Sequence, residues 1–329
     1  KATGRKLASL TAYDYPTAKL LDDVDLDFLL VGDSLGMVVL GYPDTTGVRM
    51  EDMLHHTRAV ARGATKTWIV ADLPAGSHPS PEAAVENSAL LIEAGADAVK
   101  IEGGKECLRS VLAIRGAGIP VVGHLGMLPQ RVREEGGYHI KGRSEEAAAN
   151  LLADAKFLDE AGVSAIVLEL VHPPVAERIS QSIRTPTIGI GSGSACDGQI
   201  LVLHDVIGLF PWFRPRFAQP RADLASEVIR SAEEFVAATR SGSAVATDQT
   251  ELVLQGRAHL FWRDDLCWPA ATLRVVLSNK LSRFARPWRP PRAVFIPRQP
   301  PTDQTELVPP RAKPHFWRDD LRVVRRAPC

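Results

Sequence analysis

Eight short apolar runs divide the first part of this 329-residue chain, and stretches with helical periodicity separate them. Uninterrupted apolar runs are typical of strands buried on both faces, and helices between such strands indicate a parallel sheet. We therefore expect an α/β fold. Eight such units fit a closed (β/α)8 TIM barrel, and a doubly wound open sheet is the alternative, since periodicity does not choose between them. The runs are Leu7–Tyr13, Asp27–Val31, Thr67–Ala71, Ala98–Ile101, Ile119–Gly123, Ala165–Leu168, Thr187–Ile190 and Leu201–Val206.

The clearest helical stretches are Pro81–Ala94, Glu145–Ala161 and Pro174–Ile183. In the first of them, apolar residues recur on or near one face, which is typical of a helix packed against a sheet. These stretches and the apolar runs together predict a catalytic barrel over residues 1–243.

The remainder of the chain, residues 244–329, has a different composition. Pro and Arg accumulate, and from residue 243 onward there are 15 Lys and Arg against 8 Asp and Glu. The segment also repeats itself, because Thr-Asp-Gln-Thr-Glu-Leu-Val occurs at 247–253 and again at 302–308. Two copies of a repeat rarely bury a core. We predict a poorly ordered appendage that contributes nothing to the active site, and a basic, aromatic-rich interaction arm is the alternative.

Bulk properties narrow the class of protein. The formal net charge is zero, which gives no reason to expect nucleic acid or an anionic membrane as a partner. No apolar run reaches the roughly 18 residues needed to cross a bilayer. The first ten residues lack the apolar segment of a secretory signal, and the four cysteines lack metal-ligand spacing. We expect a cytoplasmic enzyme.

Ionisable residues cluster at the carboxyl ends of the apolar runs, where barrel enzymes build their active sites. Asp33, Asp72 and Glu102 follow three successive runs. Three carboxylates that converge on one pocket repel each other unless a cation lies among them, and oxygen ligands favour Mg2+. The alternative is that each carboxylate caps a helix or pairs with a surface base.

Three further residues complete the candidate site. Lys100 shares a strand face with Glu102, so it could hold a substrate carboxylate or neutralise the acidic cluster. His124 could donate a hydrogen bond to substrate, or could be a satisfied core histidine. Glu169 follows four apolar residues, which suits a general base, and a salt bridge at the barrel rim is the alternative.

Several blocks of sequence resemble ketopantoate hydroxymethyltransferases, and they occur in family order over roughly residues 7–240. They include Leu-Thr-Ala-Tyr-Asp-Tyr at 10–15, Val-Gly-Asp-Ser-Leu-Gly at 31–36, Ala-Asp-Leu-Pro at 71–74, Val-Lys-Ile-Glu-Gly-Gly at 99–104, Gly-His-Leu-Gly at 123–126 and Val-Leu-Glu at 167–169. Together these motifs are specific to the family. The tail beyond about residue 243 has no counterpart in it.

The resemblance implies a barrel of the phosphoenolpyruvate mutase and isocitrate lyase type, the substrates 3-methyl-2-oxobutanoate and 5,10-methylenetetrahydrofolate, the products ketopantoate and tetrahydrofolate, and Mg2+. It implies that Asp33 and Asp72 bind the metal with Glu102 as a third acidic residue, and that Glu169 is the proton acceptor. It also implies a homo-oligomer, usually a decamer in this family. With His124 added from the residue pattern, the expected substrate contacts are Asp33, Ser34, Asp72, Lys100 and His124.

Two other functions stay open from sequence. One is another Mg2+-dependent 2-oxo acid lyase or mutase of the same barrel superfamily. The Lys-Lys-Cys-Gly-His motif of isocitrate lyases is absent, and Lys105-Glu-Cys107 is no substitute for it. The other is a barrel kept as a binding scaffold. The complete acidic set argues against a scaffold, since a retired site has no physical need for three converging carboxylates.

Overall fold

The computed structural model describes residue 1 and residues 4–242, and these form a closed parallel barrel of eight strands in chain order. Pairing of the first strand with both the second and the eighth closes the barrel, so the (β/α)8 fold is confirmed and the open sheet is excluded. The strands are β1 (Leu7–Thr11), β2 (Phe28–Val31), β3 (Trp68–Asp72), β4 (Ala98–Glu102), β5 (Val121–Gly126), β6 (Ala165–Glu169), β7 (Thr187–Ile190) and β8 (Gly198–Leu201).

Helices connect the strands and surround the barrel. They are α1 (Tyr15–Leu21), α2 (Leu35–Val38), α3 (Met50–Gly63), α4 (Pro81–Glu93), α5 (Leu108–Gly116), α6 (Glu145–Glu160), α7 (Pro173–Ser182), α8 (Leu203–Val206) and α9 (Leu224–Arg240). Short 3-10 turns lie at Thr45–Gly47, Lys105–Cys107 and Pro129–Arg131. Among the described helices, none combines the length and the apolar character that crossing a bilayer requires.

The strands are buried on both faces, which explains their uninterrupted apolar sequences. On β2, Leu29 and Val31 belong to the core between barrel and helices, whereas Phe28 and Leu30 belong to the core inside the barrel. Successive side chains of a strand point to opposite faces, so each apolar run supplies both cores. The inner core fills the barrel, as side-chain layers do in this fold.

Local signals fix where the helices begin. Ser80 precedes α4, its hydroxyl accepts a hydrogen bond from the Ala83 amide, and Pro81 occupies the first helical turn. Ser144 caps α6 in the same way. These caps satisfy amides that have no partner within the helix. The three helices predicted from sequence are confirmed to within one residue at either end.

The eighth predicted strand, Leu201–Val206, was wrong. The strand is Gly198–Leu201, and most of the predicted segment forms the short helix α8. A side chain at Gly198 would lie 2.7 Å from both the Cβ and the backbone oxygen of Leu7, where β8 closes against β1. Closure of the barrel therefore requires a glycine at position 198. Because glycine has no apolar side chain, β8 does not show the continuous apolar sequence by which the other buried strands were predicted.

The chain divides into two units, Lys1–Leu252 and Val253–Cys329, and every described residue belongs to the first. The predicted boundary at residue 243 and the predicted tail over 244–329 lie outside the described residues. Both remain predictions from the sequence.

A buried carboxylate joins the end of α1 to the segment before β3. Asp22 accepts hydrogen bonds from the backbone amides of Thr65, Lys66 and Thr67 and from the Thr65 hydroxyl, over 2.9–3.1 Å. Burial acts to raise the pKa of Asp22, but these hydrogen bonds outweigh it and hold the pKa well below its ordinary value. A carboxyl whose pKa is lower in the folded state stabilises that state only while it is ionised.

We expect Asp22→Ala to lower the free energy of unfolding near neutral pH by about 2 kcal/mol, because charged hydrogen bonds to the 65–67 segment are lost. The difference in the free energy of unfolding between the variant and the unchanged protein should become smaller as pH falls below about 4, where the carboxyl of the unfolded chain becomes protonated. Urea unfolding between pH 7 and pH 3 measures both effects. Asp23→Ala is the control, since Asp23 is exposed and forms its ion pair with the exposed Lys66. Equal effects of the two substitutions would contradict the assignment.

Candidate active site

Alternation along the strands carries ionisable side chains from the inner core into the mouth of the barrel. Val70 on β3 belongs to the inner core, and two positions further Asp72 points the same way at the end of the strand. On β4, β5 and β6 the inner-core residues are Ala98, Val122 and Val167, and the residue two positions after each of them is also ionisable. The residues positioned in this way are Asp72, Lys100, Glu102, His124 and Glu169.

Strand pairing brings these residues side by side. Asp72 is in register with Lys100, and Glu102 is in register with His124. Asp33 and Ser34 lie just after β2 and come from the loop that follows it. All seven residues predicted from sequence line one cavity of about 590 Å3 at this end of the barrel. The structure thus brings the complete predicted set together, while the role of each residue stays a prediction.

The carboxylates of Asp33 and Asp72 are buried next to each other. The Asp33 amide donates to Asp72 Oδ2 over 3.0 Å. Burial and the neighbouring carboxylate of Asp72 raise the pKa of Asp33 well above its ordinary value. Burial also raises the pKa of Asp72, even though Lys100 acts to lower it. Both pKa values rise because burial removes water from the carboxylate, and a carboxylate without water is unfavourable unless a cation lies beside it.

Lys100 is the nearest cation to the acidic pair. Its side chain is 5% exposed, and Nζ lies 3.1 Å from Asp72 Oδ2. Burial would lower the pKa of Lys100, but the carboxylates of Asp72, Glu102 and Asp33 outweigh it and raise it. Lys100 is therefore a permanent positive charge at the floor of the site.

His124 lies between two carboxylates. Its Nδ1 is 3.1 Å from Glu102 Oε1, and its Nε2 is 3.4 Å from Glu169 Oε2. The second contact is an ion pair without hydrogen-bond geometry, and Nε2 has no hydrogen-bond partner among the described residues. Burial and Lys100 lower the pKa of His124, yet the two carboxylates outweigh them and raise it to about 9. The ring is thus an imidazolium at neutral pH, and its role as a hydrogen-bond donor to substrate stays a prediction.

Protonation of His124 decides how its other neighbours interact. An Nδ1–H that donates to Glu102 cannot also accept from Lys100, whose Nζ lies 3.4 Å from the same nitrogen. Burial acts to raise the pKa of Glu102, but His124 and Lys100 outweigh it and lower it. Glu102 is therefore an ionised partner of the ring.

Gln130 is a site residue that the sequence reasoning missed. Its side-chain amide donates to Asp33 Oδ2 over 2.8 Å and to the Leu73 carbonyl over 2.9 Å, and its backbone amide donates to Glu102 Oε2 over 3.2 Å. One residue thus orients two of the three acidic residues. An uncharged Gln in a 3-10 turn has no pattern that distinguishes it, although its position soon after the Gly-His-Leu-Gly segment was an available signal.

One side-chain contact and two backbone features fix Ser34 and Glu169. The Ser34 hydroxyl lies 2.8 Å from the Tyr13 hydroxyl, which ties the loop after β2 to the end of β1. A side chain at Gly126, where φ is +100°, would lie 2.2 Å from the Glu169 carbonyl oxygen. Among the described residues, Leu170 is the only non-glycine with positive φ, at +48°, and it directly follows Glu169. Such backbone costs about 1–3 kcal/mol and often accompanies active sites.

The charges of the site do not balance. Lys100 and His124 face four carboxylates, which leaves an excess of two negative charges when all six groups are ionised. Asp72 Oδ1 is buried and accepts no hydrogen bond from the described part of the chain. Oxygen donors with two surplus charges fit a hard divalent cation, and Asp33 and Asp72 could hold one.

No three His, Cys, Asp or Glu side chains within residues 4–242 form a ready-made metal cage. Mg2+ does not need one, because it is usually bound by one or two carboxylates and completes its shell with water and substrate oxygens. The arrangement therefore fits a cation shared between protein and substrate better than a structural metal.

A family model described as ketopantoate hydroxymethyltransferase matches residues 1–244 of the chain. The chain is 53% identical over 240 residues to the 3-methyl-2-oxobutanoate hydroxymethyltransferase of Ignicoccus hospitalis, with 73% of this chain and 91% of that protein covered. It is 49% identical over 245 residues to the enzyme of the same name from Syntrophus aciditrophicus, with 74% and 90% covered.

Among solved structures, the phosphoenolpyruvate phosphomutase of Streptomyces platensis subsp. rosaceus is similar in fold. The TM-score is 0.50 at 13% identity, and the match covers 73% of this chain and 84% of that one. At this identity the likeness shows the fold alone, and it confirms a barrel of the phosphoenolpyruvate mutase type.

We expect Lys100→Met to lower the free energy of unfolding by about 3–5 kcal/mol, because the substitution leaves buried carboxylates without their cation. Adding Asp72→Leu to it should recover part of that loss, since one unpaired charge is then removed as well. Urea unfolding measures all variants in metal-free buffer. Lys66→Met is the matched control, because Lys66 belongs to an exposed Lys–Asp pair and should change little. A Lys100 variant as mild as the Lys66 variant would contradict the buried ion pair.

Proposed function

This chain belongs to the ketopantoate hydroxymethyltransferase family, and on that premise we propose that it transfers a hydroxymethyl group from 5,10-methylenetetrahydrofolate to 3-methyl-2-oxobutanoate in a Mg2+-dependent reaction. The observation that carries the proposal is the buried cluster of four carboxylates and two cations at the mouth of the barrel. Its surplus negative charge suits a divalent ion, and its size leaves room for a small oxo acid.

Asp33 and Asp72 would hold the ion, with Glu102 bound directly or through water. When bound, Mg2+ supplies Lewis-acid stabilisation of negative charge on the oxygens of the oxo acid. Gln130 keeps Asp33 and Glu102 in place through its hydrogen bonds, and the Asp33 amide orients Asp72. The unpartnered Asp72 Oδ1 is the ligand atom that these contacts leave free.

The cationic side chains would bind the oxo acid. Lys100 has three N–H donors and uses one on Asp72, so others are available to the substrate carboxylate. Ser34 lies at the same end of the cavity and would contribute its hydroxyl. His124 has an Nε2–H without a hydrogen-bond partner in the described residues, which suits it to the keto oxygen.

Glu169 would take the proton from C3, the carbon next to the ketone. Its side chain is 15% exposed at the end of β6, and the charge of His124 lies 3.4 Å from Oε2. A carboxylate at this position can accept a proton as a general base. The close approach of Gly126 to the Glu169 carbonyl and the positive φ of Leu170 fix the backbone of Glu169. Its carboxylate therefore extends into the cavity from a fixed position.

The atoms of the proposed reaction balance with one water. The C3–H bond breaks and C3 forms a bond to the one-carbon unit, while the bonds from that unit to the two folate nitrogens break. Water supplies the hydroxyl oxygen, its hydrogens restore the two folate N–H groups, and the C3 proton ends on the new hydroxyl. The one-carbon unit keeps its oxidation level, so no redox partner is needed. The product is ketopantoate, a precursor for pantothenate and coenzyme A.

We also propose a homo-oligomer, for which the family's decamer is the model. Helix α9 has no buried residue, and its large apolar side chains Val228, Ile229, Phe235 and Val236 are each at least 40% exposed. Exposed apolar patches of this kind are typical of protein–protein contacts. A second copy of the chain would cover them.

The first test concerns the metal. We expect Asp33→Asn and Asp72→Asn each to weaken Mn2+ binding by about 100-fold or more and to abolish ketopantoate formation, because each removes a charged ligand. Electron paramagnetic resonance follows Mn2+, and competition extends the result to Mg2+. Asp25→Asn is the control at a carboxylate that is 99% exposed. Unchanged metal affinity in both site variants, with folding verified by circular dichroism, would remove the metal from the proposal.

The second test concerns the base. Glu169→Gln keeps shape but cannot accept a proton, so it should still bind 3-methyl-2-oxobutanoate while C3–H exchange in deuterated water slows by about 10²–10⁴-fold. Proton NMR measures the exchange without folate. Glu160→Gln, at an exposed position on α6, is the matched control. Exchange at the unchanged rate in the Glu169 variant would assign the base to another group.

A further inference from the structure

The cavity is larger than the charged site within it. A volume of about 590 Å3 lies within the range of about 300–1,000 Å3 that holds drug-sized ligands, and a small branched oxo acid fills only part of it. The charged residues come from β2 to β6 and occupy one side of the barrel mouth. The other side is lined by residues at or just after the carboxyl ends of β7, β8 and β1 and by residues of segment 210–217.

Asp205 is the acidic residue on that other side. It lies in α8, just after β8, and is 9% exposed with its surface facing the cavity. Its side chain accepts no hydrogen bond and forms no ion pair within the described residues. Burial in these surroundings raises the pKa of Asp205 to about 6. A carboxylate without a protein donor that faces the cavity is free to accept hydrogen bonds from a ligand bound there.

Contacts of the neighbouring residues hold Asp205 in place, although its carboxylate has no partner among the described residues. The Leu203 amide donates to the Thr11 hydroxyl oxygen over 3.0 Å, which fixes α8 to the end of β1. The ring of His204 lies 5.5 Å from the ring of Tyr13. These contacts of its two neighbours hold Asp205 in place at the edge of the cavity.

The wall next to Asp205 is aromatic, and its rim is basic. Phe210, Phe213 and Phe217 line the cavity, and the ring of Tyr138 lies 6.4 Å from that of Phe213 across the opening. Arg214 and Arg216 are exposed in the same segment and also line the opening. This side of the cavity therefore carries one buried carboxylate, three phenylalanine rings and two exposed arginines.

We propose that Asp205 recognises the pterin of the folate co-substrate, accepting hydrogen bonds from its ring N–H and its 2-amino group, while Arg214 and Arg216 bind the glutamyl carboxylates. The pterin edge offers two parallel donors, which a carboxylate accepts in a bidentate manner. The phenylalanine wall suits the flat ring, and the rim arginines suit the anionic tail. The inference rests on the proposed function, since it names how the one-carbon donor is held.

Binding of tetrahydrofolate to the full chain, measured by anaerobic calorimetry with Mg2+ present, tests the proposal. We expect Asp205→Asn to weaken binding by about 10–100-fold, because the amide offers one acceptor and places an N–H against the pterin donors. Asp25→Asn, at a carboxylate that is 99% exposed and lies outside the cavity lining, is the control and should bind as the unchanged protein does. Equal affinity of the Asp205 variant, or no binding by the unchanged protein, would overturn the inference.

A second experiment changes the ligand instead of the protein, so its result does not depend on how a variant folds. The unchanged protein should bind a tetrahydrofolate analogue that lacks the 2-amino group about tenfold or more less tightly than tetrahydrofolate. Equal binding of the two ligands would also overturn the inference.

The double variant Arg214→Gln and Arg216→Gln tests the basic rim. It should weaken tetrahydrofolate binding but not binding of a tetrahydropterin without the glutamyl tail. Equal loss for both ligands would remove the arginines from the proposal.

Exchange of the C3 hydrogen of 3-methyl-2-oxobutanoate by the unchanged protein separates this inference from the proposed function. Exchange requires no folate. Absence of exchange would contradict the proposed function itself, whereas exchange together with folate binding that is indifferent to Asp205 would contradict only the inference.

Discussion

Desolvated charge is the constraint on which the rest of the site depends. Burial makes each carboxylate of the cluster unfavourable, and the raised pKa values of Asp33 and Asp72 reflect that cost. Lys100 and His124 offset part of it, and they are themselves held in the charged state by the same carboxylates. The group is therefore interdependent, since removing one member changes the protonation of the others.

The barrel supplies the rigidity that such a cluster requires. Every strand that contributes a charged side chain is clamped on both edges by parallel neighbours, and its inner residues pack in the core beneath the site. Side chains that stand on packed strands lose little further freedom when substrate arrives. Gln130 adds the polar contacts that strands alone do not provide, because it reaches Asp33 and Glu102 from the turn above β5.

The mouth of the barrel is divided in two. One side presents charge at close spacing, which suits a small anion chelated with a divalent ion. The other side presents a single buried carboxylate, aromatic rings and rim arginines, which suits a larger, flat and anionic molecule. A transfer between two unlike substrates needs both to be bound at once in one enclosed space, and this division provides for it.

The sequence by itself determined an α/β fold of alternating strands and helices, seven of its eight strands and the set of charged residues at the strand ends, because buried parallel strands and their polar termini leave a direct pattern of residue types. The structure decided closure into a barrel through the pairing of β1 with β8, since the periodicity fits an open sheet equally well. Only the tertiary structure located β8, since closure against Leu7 requires Gly198 and that glycine breaks the apolar run. Only the tertiary structure showed that Gln130 contacts Asp33 and Glu102 and that Asp205 lines the same cavity, because both facts depend on how distant segments meet across the barrel. Such contacts join segments distant in the chain, and no local spacing encodes them.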